Sequence, residues 1–366
     1  MNNYNTELIF KWLKSENASS TETKKLAKKT REAFNITARE YRKLLSYGRE
    51  KTKVLERLMS ANEWDKIDFS KIPSKAGLIY KNAFARRDIL AKKYEAFAKD
   101  ATTKVNAEAL YPQEIAERVF NSYGYNGWNK RLALSETDRL MLQKYWDNLK
   151  DFYNGREENG IAIVDVSGSM IGTPMNAAVS LGAYIAEKAH GPFANHFITF
   201  SNHPQLVRFK GVDIVDKFVR CSNADWGGTT NLKAVFDLLL MTAKNQNTRI
   251  EDMPTRLYIF SDMEFDSCVS FGGEDNWGYY KMASENSIQT GLESIKEKWA
   301  REGYKLPQVI FWNLNARNNN IPAIGEGFSY VSGFSPSMID CILTGKDGYD
   351  LMLEKLMSKR YEAVTA

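Results

Sequence analysis

The spacing of apolar and polar residues divides the chain into two kinds of sequence. In roughly the first 150 residues, apolar positions recur at helical intervals, as at Tyr41, Leu44 and Leu45. In the remainder, short apolar runs alternate with longer helical patterns. This order predicts an all-helical first part, followed by an α/β part with a doubly wound, mainly parallel sheet.

The predicted boundary between two domains lies where the helical pattern gives way to the first apolar run. We assign residues 1–155 to a helical domain and residues 156–366 to an α/β domain. In the helical domain we expect a long helix over Leu78 to Phe97 and a helix that begins at Pro112. A capping box from Ser135 to Asp138 predicts the start of another helix.

Charge is unevenly shared between the two parts. Residues 1–150 contain 30 Lys and Arg against 19 Asp and Glu, whereas residues 151–366 contain 20 against 26. A basic region suggests an anionic partner, most commonly a nucleic acid, but a solvated lysine-rich helical surface explains the excess equally well. The candidate contacts to a nucleic acid are Lys24, Lys25, Lys28, Lys29, Arg86 and Arg87.

Composition restricts the cellular setting. No apolar run approaches the roughly 18 residues of a membrane span, and the first residues do not form a signal peptide, so no membrane partner is expected. The three cysteines are far apart and lack C-x-x-C spacing, which is typical of a reduced compartment. We therefore expect an intracellular, cytoplasmic protein.

The most informative stretch begins with the apolar run Ile161 to Val164, which predicts a strand buried on both faces. Asp165, Ser167 and Ser169 follow at alternate positions. Carboxylate and hydroxyl oxygens are ligands for Mg²⁺, Mn²⁺ or Ca²⁺. Alone, the pattern fits equally a strand, a polar turn and a helix cap.

Two later segments also carry carboxylate and hydroxyl side chains where a strand ends or a helix begins. A glycine-rich loop carries Asp225, Thr229 and Thr230, and a second apolar strand ends in Ser261 and Asp262, with Glu264 close behind. The carboxyl ends of parallel strands share one crevice, so these residues should converge at an exposed edge of the sheet.

With these motifs the sequence resembles the von Willebrand factor A fold and its metal-ion-dependent adhesion site, over roughly residues 158–345. The resemblance implies a divalent cation, most readily Mg²⁺, with one coordination position open to an acidic or phosphate group. The implied metal ligands are Asp165, Ser167, Ser169, Thr230 and Asp262, with Thr229 as second choice for the threonine. Asp225 and Glu264 are expected on the same face.

The chain departs from that family by an insertion near residues 263–286. As a whole, a basic helical domain before a von Willebrand A domain resembles the Ro-type (TROVE) RNA-binding proteins. It also resembles a little-characterised family with the same layout and a Ser-Asp-Met-Glu-Phe-Asp segment, here residues 261–266. The resemblance to Ro-type proteins implies binding of small or single-stranded RNA through the helical domain.

An enzymatic function is not expected. There is no glycine-rich phosphate loop with Lys-Ser/Thr, no G-x-S-x-G, and no base in sequence beside Ser167 or Ser169. Hydrolysis by a metal held at Asp165, Asp262 and Glu264 is the weaker reading. The sequence thus predicts a binding protein, for RNA or, alternatively, for an acidic protein ligand at the metal site.

Overall fold

The structure is a computed structural model of the 366-residue chain, which falls into two compact units, Met1–Asn106 and Ala107–Ala366. It describes residues 13–51, 55–107, 109–123, 134–200, 204–222, 232–263, 285–315, 327–345 and 348–358. No helix within these ranges has both the length and the apolar character needed to cross a membrane.

The described part of the first unit is helical, as predicted. The expected long helix over Leu78 to Phe97 is wrong, because the chain breaks at Arg87, whose extended backbone (φ −123°, ψ 111°) precedes a new helix. The apolar spacing continues across this break and so conceals it. The helices of this unit are α1 Thr21–Ala33, α2 Ala38–Lys51, α3 Leu55–Ser60, α4 Ser74–Ala85 and α5 Asp88–Lys99.

The second unit begins with two helices and continues as alternating strands and helices. Ser135 caps the second helix by accepting a 3.1 Å hydrogen bond from the backbone N–H of Asp138, which confirms the predicted helix start. The helices are α6 Pro112–Tyr123, α7 Glu136–Asp147, α8 Thr173–Lys188, α9 Ile214–Ser222, α10 Leu232–Asn245, α11 Glu285–Arg301, α12 Met338–Thr344 and α13 Gly348–Leu356. The strands are β1 Gly160–Asp165, β2 His196–Phe200, β3 Leu206–Arg208, β4 Arg256–Ser261, β5 Gln308–Asn313 and β6 Phe328–Ser332.

The six strands form one sheet in the order β3-β2-β1-β4-β5-β6. Only β3 is antiparallel; the other neighbours pair in parallel, so the predicted doubly wound, mainly parallel fold is confirmed. After β1 the chain moves outward to β2, and it later returns on the other side of β1 as β4. The crevice between the carboxyl ends of β1 and β4 is therefore a topological switch point, where open α/β sheets bind ligands.

Helices cover both faces of the sheet. On one face, α10 and α11 pack on Ile161, Ile163 and Ile259 through an apolar core that includes Phe236 and Trp299. On the other face, α8 lies so close to β1 that a Cβ on Gly182 would stand 2.8 Å from Cγ2 of Val164. Every residue of β1 is buried, as its continuous apolar run predicts.

Helices α6 and α7 pack within the second unit, against α9. Phe120 and Trp146 both contact the ring of Phe218 on α9, at centroid distances of 6.0 and 5.5 Å. The guanidinium of Arg139 donates two hydrogen bonds to Asp213, of 2.9 and 2.8 Å, and one of 2.6 Å to Asp216. The boundary predicted at residues 155/156 thus lies inside this unit, because the helical pattern shows an apolar face but not its packing partner.

Candidate metal site at the carboxyl edge of the sheet

The first element of the site is the turn that follows β1. Asp165 ends the strand, and its Oδ1 accepts a 2.9 Å hydrogen bond from the backbone N–H of Ser167. This bond folds the chain back towards the carboxylate, and a short 3₁₀ turn, Gly168–Met170, follows. Contrary to the expectation of an exposed edge, Asp165 is completely buried, at 0% exposure.

The two serine hydroxyls of the turn lie side by side. Oγ of Ser167 is 3.0 Å from Oγ of Ser169, and neither side chain is buried. Neighbouring oxygen ligands of an octahedral Mg²⁺ at about 2.1 Å are themselves about 3 Å apart. The spacing of the two hydroxyls therefore suits adjacent positions around one small cation.

The end of β4 supplies the second carboxylate and a support for the first. The Ser261 hydroxyl donates a 2.6 Å hydrogen bond to Oδ2 of Asp165. Asp262 follows at 4% exposure, and Met263 then adopts a left-handed backbone with φ of 64°. A non-glycine residue in that region is strained, and such strain is concentrated at functional sites.

Burial raises the pKa of the Asp165 carboxyl from 3.8 to about 6. The hydrogen bonds from Ser261 and Ser167 act in the opposite direction, and the nearby charge of Asp262 raises the pKa further. Two carboxylates that disfavour each other's charge in a buried place are stabilised by a cation between them.

Strand β5 contributes two residues that the sequence analysis did not identify. Asn315 donates from Nδ2 to the backbone carbonyl of Ser169, at 3.1 Å, and its own N–H donates to Oδ1 of Asn313, at 3.0 Å. Asn313 in turn donates to the hydroxyl of Tyr330 on β6, at 2.9 Å. These contacts fix the serine turn from β5 and β6. The only sequence signal for them is polar residues at the end of an apolar strand.

The chemistry of the candidate ligand atoms shows which kind of cation the site suits. The described residues contain no group of three or more His, Cys, Asp or Glu side chains that could hold a metal. The candidate ligands are instead two carboxylates and two hydroxyls, Asp165, Asp262, Ser167 and Ser169, which are hard oxygen donors of the kind Mg²⁺ and Ca²⁺ prefer. The residues present therefore fit a hard divalent cation.

The structure brings together the predicted residues of β1 and β4 but does not test the others. The expected threonine ligand Thr230, its alternative Thr229, and the flanking Asp225 and Glu264 lie outside the described residues, as does most of the insertion near 263–286. Their roles remain predictions.

The predicted nucleic-acid residues belong to the first unit and are exposed. The side chains of Lys24, Lys25 and Lys29 on α1 have no hydrogen bond or ion pair with any described residue, and the ammonium of Lys28 lies 3.9 Å from the carboxylate of Glu32. Arg87 stacks on Trp64, with its Cζ 3.5 Å from the ring centroid, and Arg86 beside it is exposed. All six side chains are thus accessible to an anion.

Histidine chemistry is not found near the serines within the described residues. Nδ1 of His196 lies 2.8 Å from the carbonyl of Ala194 at the beginning of β2, which is the opposite edge of the sheet. His190 is exposed beyond the end of α8, and His203 lies outside the described residues.

Comparison with known proteins gives two family matches. A family described as domain of unknown function DUF7788 matches residues 159–364, and one described as domain of unknown function DUF2828 matches residues 6–151. These matches divide the chain near residue 155, whereas the compact units divide at residues 106/107.

Among curated proteins, the chain is 34% identical over 360 residues to uncharacterized protein L728 of Acanthamoeba polyphaga mimivirus. The match covers 93% of this chain and 58% of the viral protein, so the chain spans little more than half of that relative. Among solved structures, the Ro (RSR) protein of Deinococcus radiodurans matches over 95% of this chain and 75% of its own, with a TM-score of 0.41 and 14% identity. Similarity at that level does not bear on function.

Proposed function

The chain belongs to the family described as domain of unknown function DUF7788, and we propose that its sheet unit is a non-enzymatic, divalent-cation-dependent binding module. The observation that carries the proposal is the pair of hydroxyls of Ser167 and Ser169, 3.0 Å apart beside the buried Asp165. They lie at the switch point of the sheet, where a ligand is expected.

In this proposal each residue has a distinct task. Ser167 and Ser169 offer hydroxyl oxygens at the surface, and the carboxylates of Asp165 and Asp262 supply the negative charge that a cation needs. Ser261 and Asn315 hold these groups in place. A bound Mg²⁺, or Mn²⁺ or Ca²⁺ in its place, supplies a positive charge that an acidic or phosphate group of a partner can ligate.

Binding rather than catalysis is supported by the surroundings of the serines. Oγ of Ser167 pairs with the hydroxyl of Ser169 and contacts the Asp165 carboxylate, and no histidine that could act as a base is among its partners in the described part of the chain. A nucleophilic serine requires such a base.

The test is a calorimetric titration of the full chain with Mg²⁺ and Mn²⁺, followed by binding of a Glu-rich peptide in Mg²⁺ and in chelator. We expect cation binding that is lost in the double variant Ser167→Ala, Ser169→Ala, and peptide binding that requires the cation. A Gln-rich peptide and the variant Ser329→Ala, a half-buried serine at the other edge of the sheet, are the controls. Cation affinity unchanged in the double variant would disprove the site.

A second function, RNA binding by the helical unit, is favoured by a separate observation. Residues 1–106 contain 24 Lys and Arg against 13 Asp and Glu, so the whole basic excess of the chain lies in this unit. Three exposed lysines of α1 are not neutralised by any described residue. Positive charge of this kind attracts phosphates.

This function is tested by titrating the full chain with a small-RNA pool at low and moderate salt, in Mg²⁺ and in chelator. We expect salt-sensitive binding that persists in chelator. Reversal of Lys24, Lys25, Lys28 and Lys29 to Glu should lower the slope of log affinity against log salt by up to about 3, at about 0.7 per phosphate contact. The matched control reverses four exposed lysines of the sheet unit, Lys150, Lys210, Lys233 and Lys244. An equal effect of both reversals would contradict a site on α1.

A further inference from the structure

A cavity of about 770 Å³ lies in the second unit, at the amino edge of the sheet. Its lining comes from the segments that lead into β4, β5 and β6 and from the last turns of α11. Because these three strands are parallel, this edge is opposite the edge that carries Asp165 and Asp262. The cavity is therefore separate from the candidate metal site.

Apolar side chains form a little more than half of the cavity wall. They include Met253, Leu306 and Phe328, together with the ring of Tyr304. The Tyr304 hydroxyl donates a 3.0 Å hydrogen bond to the carbonyl of Thr248, which fixes the ring against the wall. A volume of this size, lined by apolar side chains together with a few polar groups, is typical of small-molecule sites.

Two lysines give the cavity a positive charge. Lys296 of α11 and Lys305 before β5 both line it, both are exposed, and neither has an ion pair with a described residue. No Asp or Glu is among the lining residues.

Three acidic residues near these lysines are engaged with other cations. Glu297 pairs with Arg301 at 3.3 Å, and Glu302 pairs with Lys244 at 2.5 Å. Asp252, next to the lining residue Met253, pairs with Arg249 at 2.7 Å. The positive charge is notable because residues 107–366 contain 26 Lys and Arg against 32 Asp and Glu.

We propose that this cavity binds a small amphipathic organic anion, an acid with an aliphatic or aromatic body. The charged group of the ligand lies at Lys296 and Lys305, and its body lies against Tyr304 and Phe328. Charge complementarity selects an anion, and the apolar wall selects a hydrophobic body over a simple inorganic ion.

The probe for this site is 8-anilinonaphthalene-1-sulfonate, an aromatic anion whose fluorescence rises in apolar surroundings. We expect saturable binding of one probe molecule to the folded full chain, and displacement by decanoate. Decanol, which has the same chain length without the charge, should displace the probe at least about tenfold less well, since loss of one ionic contact is worth about that factor.

Four variants locate the binding. Ala300→Phe places a ring in the cavity from an exposed position of α11 and should abolish binding of the probe. Lys305→Glu should weaken binding about tenfold or more, whereas Lys305→Arg should preserve it. Lys210→Glu, an equal charge change at an exposed position after β3, should leave binding unchanged.

Thermal unfolding of each variant shows whether it is folded, since this probe also binds partly folded chains. Probe binding that is equal in Ala300→Phe, Lys305→Glu and the native chain would overturn the proposal, as would equal displacement by decanol and decanoate. If Ala300→Phe does not unfold cooperatively, the comparison of Lys305→Glu with Lys305→Arg tests the proposal.

Discussion

The hydroxyl of Ser261, at the end of β4, donates a 2.6 Å hydrogen bond to the carboxylate of Asp165, at the end of β1. This contact joins the two strands on either side of the switch point and orients the acid on which the candidate cation site depends. The backbone N–H of Met263 donates to the same hydroxyl, at 3.1 Å. Ser261 therefore couples the acid of one strand to the strained turn of the other.

Replacing Ser261 with Ala should lower both stability and cation affinity. A buried hydrogen bond to a charged group contributes about 2 kcal/mol, so the free energy of unfolding should fall by about that amount. Denaturant unfolding and a Mg²⁺ titration measure the two effects. The variant Ser329→Ala removes a hydrogen bond from the Gln308 amide, and should leave Mg²⁺ affinity unchanged. Unaltered Mg²⁺ affinity in Ser261→Ala would show that Asp165 does not need this support.

Metal-free protein should lose stability as the pH rises through roughly 4 to 6. The pKa of Asp165 is about 6 in the folded chain, against 3.8 normally, so the folded chain holds this proton more tightly than the unfolded chain. Ionisation of Asp165 then costs about 3 kcal/mol of folding free energy above pH 6, at 1.36 kcal/mol per pKa unit. Chemical denaturation at several pH values in chelator measures this cost.

The variant Asp165→Asn isolates this contribution because its side chain stays neutral. In chelator at pH 7 it should be more stable than the native chain, and its stability should lack the component that falls between pH 4 and 6. Added Mg²⁺ should stabilise the native chain and not the variant. If the native chain and Asp165→Asn show the same pH dependence in chelator, the raised pKa of Asp165 is wrong.

Replacing Asn315 with Ala should weaken cation binding with little effect on the Asp165 carboxylate. Asn315 holds the serine turn through the carbonyl of Ser169, at 3.1 Å, so its loss leaves Ser167 and Ser169 less well ordered. We expect Mg²⁺ affinity to fall by about tenfold, comparable to the loss of a supporting contact around a metal. Asn148→Ala removes a similar amide-to-carbonyl bond at the end of α7 and serves as the control. Equal Mg²⁺ affinities in the two variants would argue against a positioning role for Asn315.

A fragment of residues 107–366 should fold cooperatively, whereas residues 156–366 should not. The shorter fragment lacks Phe120 and Trp146, which cover Phe218, and Arg139, which pairs with Asp213 and Asp216. It would expose a large apolar face of α8 and α9 to water. Thermal unfolding and probe binding distinguish the fragments; cooperative unfolding of residues 156–366 would place α6 and α7 outside the folding unit.

The sequence predicts well those features that depend on residues close together in the chain. The apolar run before Asp165 predicts a doubly buried strand, and alternate oxygens after it predict a polar turn, because both depend on neighbours in the chain. The support by Ser261 and Asn315 depends on the order of β1, β4 and β5 in the sheet, and no local pattern carries that order. The burial of Asp165 escapes prediction for the same reason, since it depends on β2 and β4, the strands that flank β1.

The helix break at Arg87 and the packing of α6 and α7 show a second limit of prediction from the sequence. Helical periodicity reports that one face is apolar, but it does not report whether two helical segments are continuous or which surface they cover. The continuity of the helices and the surface they cover are both decided by tertiary contacts, such as that between Arg139 and Asp213.

The pairing of β1 with β4 also determines when in folding the acidic site comes into existence. Asp165 and Ser261 are 96 positions apart, so the chain must close a long loop before the hydroxyl meets the carboxylate. Contacts of such separation slow folding. A cation that needs both strand ends binds only after this closure, and its occupancy therefore reports the completed sheet rather than either strand alone.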